Sequence, residues 1–321
     1  MNSGLVFTYE LLDWIDEKNI DFGFLSANPN AIDLLKKNIE KIDWYRLSDN
    51  PNASQILEKY PEKILWRCLS ENANTTELLE KHYDEIDWYK LSSNPNAIHL
   101  LEKNQEKIEW SELSSNPNAI HMLEKNPEKI DWYKLSKNPN AIHILEKNMD
   151  KIVWSMLSQN ENAIHLLENN PEKINWICLS GNSNASLIAK KNQEKIYWSM
   201  MSNNPSVISI LEMNPEKIDW YYFIQNPNAI PVIEKKLEKV KKKDLFWLLS
   251  RNPNAMKIME KNQEKIDWTW FSTNPSIFKK RINYEYLYRR MNVIREELMM
   301  KCMHPSRLER FIEMGGDIDD F

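Results

Sequence analysis

The chain has 321 residues, a formal net charge of −5 and 28% charged side chains, a balance that gives no general reason to expect nucleic-acid binding. Its longest apolar runs are far too short to cross a bilayer, and Met1-Asn2-Ser3-Gly4 starts no signal peptide. With five glycines in all, hardly a backbone loop is left to cradle a phosphate. Nucleophile-elbow, zinc-ligand and separated-acid-pair patterns are also missing, so no catalytic, cofactor or metal residue is assigned and the chain reads as a non-enzyme.

Residues 1–27 lead in. Phe22, Leu25 and Ser26 stand one period ahead of Trp44, Leu47 and Ser48, which predicts a worn half-repeat behind a capping helix carrying Trp14. From there the chain is periodic. Trp44, Trp66, Trp88, Trp110, Trp132, Trp154, Trp176, Trp198 and Trp220 are each 22 residues from the next. Unit starts fall at Asn28, Asn50, Asn72, Asn94, Asn116, Asn138, Asn160, Asn182, Asn204, Asn226, Asn252 and Asn274. A unit this short cannot bury its own apolar face, so neighbours must stack and share one core.

The unit Asn94–Ser115 shows the local logic. Asn94-Pro95 reads as a helix start, the Asn capping free N–H groups and the Pro giving up a donor that has no partner there. Ala97, Ile98, Leu100 and Leu101 supply an apolar stripe at helical spacing. Asn104 opens a second start, with Glu106 in its first turn. Ile108, Trp110 and Leu113 form a second apolar set, and the two-residue step from Ile to Trp suits a tight or 3₁₀-like turn. The expectation is an all-α solenoid of short helix pairs with helical caps. About eleven repeats over residues 28–279 would extend on the order of 100 Å at roughly 9–10 Å per repeat.

One unit, 226–251, has 26 residues. Its extra turn lies near Lys239-Val240-Lys241-Lys242-Lys243, Phe246 takes the tryptophan place, and Trp247 moves to the next, variable position. Residues 280–321 read as a C-terminal cap. A long amphipathic helix spans Tyr284 to Met300, a short helix follows His304-Pro305 and stops at Gly315-Gly316, and an acidic tail closes the chain. That tail lacks the ligand spacing of a calcium loop.

The Asn-Pro-Asn-Ala start, the Leu100-Leu101 pair and the short second helix resemble the leucine-rich repeat variant, an α/3₁₀ solenoid whose repeat is slightly longer and lacks the tryptophan. More closely, the pattern LSxNPNAIxLLEKNPEKIDW resembles the tandem repeats of proteins in mimivirus-like giant DNA viruses. Arg295-Glu296-Glu297-Leu298, followed by His304-Pro305-Ser306-Arg307-Leu308, is similar to a C-terminal segment of such viral proteins. The resemblance implies a viral origin, placing the chain in host cytoplasm or virion, and supplies no catalytic residue.

Several recurring side chains invite a function. The paired asparagines (Asn94, Asn96) are read as structural, the first capping a helix while its amide bonds the neighbouring coil, with Ser92 closing the turn. The tryptophans are read as packing between coils. His99, His121, His143 and His165 stand too far apart to share a metal; they form either a pH-sensitive stripe or a record of duplication. Cys68 and Cys178, five units apart, cannot meet, which predicts free thiols and a reducing compartment. Lys235, Lys236, Lys239, Lys241 to Lys243, Lys279, Lys280, Arg281, Arg289 and Arg290 could meet phosphate or an acidic protein, or be solvated helix surface.

Disagreement between units is more informative. The two places after each tryptophan hold Tyr45-Arg46, Arg67-Cys68, Tyr89-Lys90, Ser111-Glu112, Tyr133-Lys134, Ser155-Met156, Ile177-Cys178, Ser199-Met200 and Tyr221-Tyr222. A shared packing position should not tolerate that range. These side chains either reach a binding surface, where Tyr and Arg are hot-spot types, or form a half-buried wedge between coils. Tyr45, Arg67, Tyr89, Tyr133, Ile177, Tyr221, Tyr222 and Trp247 are therefore the candidate partner-binding residues. The expected function is a scaffold for a protein partner of unknown identity. A structural part of a virus particle and a nucleic-acid-binding solenoid are the alternatives.

Overall fold

A computed structural model describes residues 7–242 and 245–302 and the single positions 304, 307, 310 and 314. The chain divides into two units, Leu12–Ile277 and a smaller one made of Met1–Leu11 with Phe278–Phe321.

The larger unit is the all-α solenoid. Most coils hold two α-helices and a 3₁₀ turn between them, as in Ile98–Lys103, Gln105–Lys107 and Trp110–Ser115. In many coils the residue before the second helix caps its first turn, although after Leu65, Glu109, Val153 and Tyr197 the helix opens at the same place without a side-chain cap. Asp21, Asp43, Asp87, Asp131, Asn175 and Asp267 each accept from the backbone N–H three residues on. The first helix starts later than the Asn-Pro pair suggests. In the coil at Asn94 it opens at Ile98 after Ala97, which makes no side-chain cap bond. Asn94 instead accepts from Asn96 N–H, 3.0 Å, in a local turn. Asn204, Asn226 and Asn274 cap a short 3₁₀ helix that begins at the following Pro.

Leu91, Ala97, Leu101 and Leu113 have no exposed area, and Leu100 and Ile108 little. Between these apolar columns runs a polar one. The first asparagine of every coil, from Asn28 to Asn274, is buried. Its Nδ2 donates to two carbonyls of the preceding coil, that of the asparagine and that of the residue two before it, at 2.8–3.4 Å. The buried serines complete it. Ser92 Oγ donates to Trp88 O and accepts from Glu109 N–H in the next coil. Among the described residues no buried side-chain N or O lacks a partner, so the column carries none of the cost of unpaired polar groups.

The solenoid is not open. Asn28 Nδ2 donates to Ser272 O and Asn274 O, both 2.9 Å. Asn30 Nδ2 donates to Pro275 O and Asp21 N–H to Ser272 Oγ, each at 2.9 Å. These are the bonds that join any coil to the one before it, so the last coil precedes the first. The closing coil is built from both chain regions. Asn274–Ile277 supplies its start, while Glu17–Asn19 and Phe22–Leu25 supply its 3₁₀ turn and second helix. Phe24 meets Trp270 edge-on at 5.3 Å and Trp14 lies 5.8 Å from Phe271 across the same seam. The extended stack of about 100 Å is therefore replaced by a closed ring. The half-repeat expected before residue 28 is a working part of it. The capping helix expected around Trp14 is absent among the described residues, with Trp14 in a turn.

The long coil does not break the ring. Leu237–Lys242 is an α-helix in place of the 3₁₀ turn, Phe246 is buried in the tryptophan place, and Asn252 reaches back to Ile224 O and Asn226 O.

The smaller unit contains a two-stranded antiparallel ribbon, β1 (Phe7–Leu11) and β2 (Phe278–Ile282), with Tyr9 opposite Lys280. No strand was expected anywhere in the chain. A helix, Tyr284–Cys302, follows as expected. The short helix after His304, the Gly315-Gly316 stop and the acidic tail lie largely outside the described residues.

Candidate binding face

Successive second helices, those opened by tryptophan, pack closely on one another around most of the ring, whereas successive first helices stay further apart. In a closed ring the more tightly spaced set lies on the inside, so the tryptophan-opened helices form the inner wall.

The tryptophans lie half-buried, with Trp220 alone among Trp44 to Trp220 fully buried. They are not the deep core expected; Leu, Ala, Ser and Asn occupy that place. A lysine from the next coil covers the indoles from Trp88 to Trp198 instead, while Trp44 meets Tyr60 and Trp66 meets His82. Lys107 lies over Trp88, Lys129 over Trp110, Lys151 over Trp132 and Lys173 over Trp154, at 4.3–4.7 Å from the ring centroid. Such contacts contribute about 0.5–1 kcal/mol each where solvent reaches them.

The positions just after the tryptophan point away from the core. Tyr45 is 60% exposed, Tyr89 48%, Tyr133 56%, Ile177 57%, Tyr221 46% and Tyr222 36%. Arg67 is also exposed, while Trp247 is half-buried. The wedge reading thus applies to Trp247, which meets Tyr221 edge-on at 6.2 Å, with Tyr222 5.4 Å from Tyr221. Tyr45 and Arg67 come together in a groove of about 290 Å³ lined also by Asp49, Leu65, Cys68, Glu71 and Lys90. Tyr89 sits against Glu112. Among the described residues Tyr133 and Ile177 join neither group.

Side chains one place further on, named from the sequence among the variable positions but, Tyr222 apart, not among the candidates, complete this face. Lys90 bonds Glu71 at 2.7 Å, and Glu112 bonds Lys134 at 2.5 Å. Arg46 stacks over Phe24 at 3.9 Å. The alternation Lys90, Glu112, Lys134 at one unit position was the legible signal for this chain of charges. Burial alone would raise the Glu112 pKa, but hydrogen bonds from Lys134 and Tyr89 outweigh it and hold the carboxyl below its ordinary value. The bond to Glu112 raises Tyr89. The bond to Glu71 raises Lys90. Burial, then the charge of Asp49, pushes the Cys68 thiol up, the direction of an inert thiol. Cys68 and Cys178 are free.

The face therefore has two arcs. Coils from Tyr45 to Lys134 present tyrosines among paired charges, and coils from Met156 to Trp247 present Met156, Ile177, Met200, Tyr221 and Tyr222. The histidines are elsewhere on the coil. His99, His121, His143 and His165 each place Nε2 2.8–2.9 Å from the carboxylate of Glu80, Glu102, Glu124 and Glu146 one coil back. Among the described residues no group of three His, Cys, Asp or Glu side chains is placed to hold a metal ion, and no helix is long and apolar enough to cross a membrane.

No protein-family model, curated protein or solved structure matches the chain.

Proposed function

We propose that the protein is a non-enzymatic scaffold that holds a protein partner against the inner wall of the ring. The observation that carries this is where the coils differ. Side chains that build the ring, the leucines, the buried asparagines and the serines, recur from coil to coil. Side chains after the tryptophan change from coil to coil, and Tyr45, Arg67, Tyr89, Tyr133, Ile177 and Tyr221 among them are exposed on the helices of the inner wall. A surface that varies over an invariant frame suits one asymmetric partner. Its aromatic and methionine content suits a polypeptide, since tyrosine anchors at little entropic cost and methionine adapts to irregular shapes. On the resemblance to giant-virus repeats, that partner is a host or viral protein met during infection.

Replacing Tyr89, Tyr133 and Tyr221 together by Ala tests the reading. The account expects a partner retained by the wild-type chain on affinity capture from infected cells to be lost by the variant, with thermal unfolding unchanged within a few degrees. Equal capture by both proteins contradicts it.

A further inference from the structure

The helix Tyr284–Cys302 carries an uncovered apolar seam. Tyr284, Leu287, Met291, Ile294 and Leu298 follow one another at alternating steps of three and four residues, the spacing of a coiled-coil contact line. Tyr284 is 73% exposed, Met291 67%, Ile294 46% and Leu298 56%. A contiguous apolar strip of this kind on a soluble chain marks a contact surface.

The flanking charges select the occupant. One edge of the seam carries Tyr288 and Arg295, the other Arg290 and Glu297. Among the described residues Arg290 meets the Tyr286 hydroxyl at 3.3 Å and no carboxylate, and Glu297 meets no cation. The ion pair of Arg289 with Glu285 at 2.5 Å uses neither. A second copy running parallel would set Arg290 against Arg295, like against like. An antiparallel copy would set Arg290 of each helix against Glu297 of the other, and Tyr288 beside Arg295, both twice.

We propose that this helix pairs antiparallel with the same helix of a second copy. Met291 of each then lies opposite Ile294 of the other, Leu287 opposite Leu298, and two Arg290–Glu297 pairs flank the seam. The proposal is independent of the inner wall and of whatever that wall binds.

Sedimentation equilibrium on the full chain tests it. A reversible dimer is expected below about 100 µM. R290E and E297R each place like charges face to face and weaken the dimer about tenfold or more. The double variant R290E/E297R restores wild-type association, which parallel pairing would not produce. Arg290 and Glu297 are both exposed on the helix, and an unchanged circular dichroism spectrum is expected of each variant. A chain that stays monomeric at about 200 µM overturns the proposal. So does a dimer indifferent to the single reversals, or one that the double reversal fails to restore.

Discussion

A single carboxamide per coil shows how the ring is specified. The buried first asparagine donates twice to the coil before it and accepts once from its own turn, so all three of these roles need an amide. An aspartate keeps the acceptor but turns a carboxylate oxygen toward two carbonyls. Asn116→Asp is expected to destabilise the ring by about 3 kcal/mol, because it takes the amide donor from Ser92 O, leaves Asn94 O only the Ala97 N–H, and buries a charge. Asn118, exposed and bonded to Pro95 O at 2.8 Å, is the control. Asn118→Asp is expected to cost under about 1 kcal/mol. Urea unfolding of the two variants checks this, and equal losses would contradict the assigned roles.

At the scale of the element, the second helix carries the inner wall and the charge chain between coils. Glu112 is the group to titrate. Its pKa is held down in the folded chain, so its contribution to stability is fully present above the unfolded value of 4.5 and disappears as pH falls through the lower, folded value. Stability is therefore expected to drop below about pH 5, and Glu112→Gln to flatten that part of the curve; an unchanged slope in acid denaturation would contradict it. The helices themselves were legible from period and leucine spacing. The start of the first helix was not, because Asn94-Pro95 has the residue types of a cap while the Asn94 amide is engaged across coils. Local pattern cannot distinguish those uses. β1 was hidden for a related reason: Phe7–Leu11 gains its partner from Phe278–Ile282, and no local turn announces a pairing across the length of the chain.

The whole molecule turns on closure. Both halves of the last coil were readable, Phe22, Leu25 and Ser26 at one end and Asn274-Pro275 at the other. Their meeting was not, because it depends on the rotation from one coil to the next, roughly 30° for twelve coils, which small packing differences set and residue types do not reveal. The variable inner wall was partly legible, since the disagreements after each tryptophan mark an exposed face. Its being the inside of a ring follows only from closure. The direct measurement is the distance between spin labels on Lys36 and Glu260, equivalent exposed positions two coils apart through the seam, with Cys68, Cys178 and Cys302 first changed to Ser. A closed ring predicts about 20–30 Å by electron double resonance, whereas an open stack would separate the labels by about 90 Å or more, and that longer distance would contradict the account.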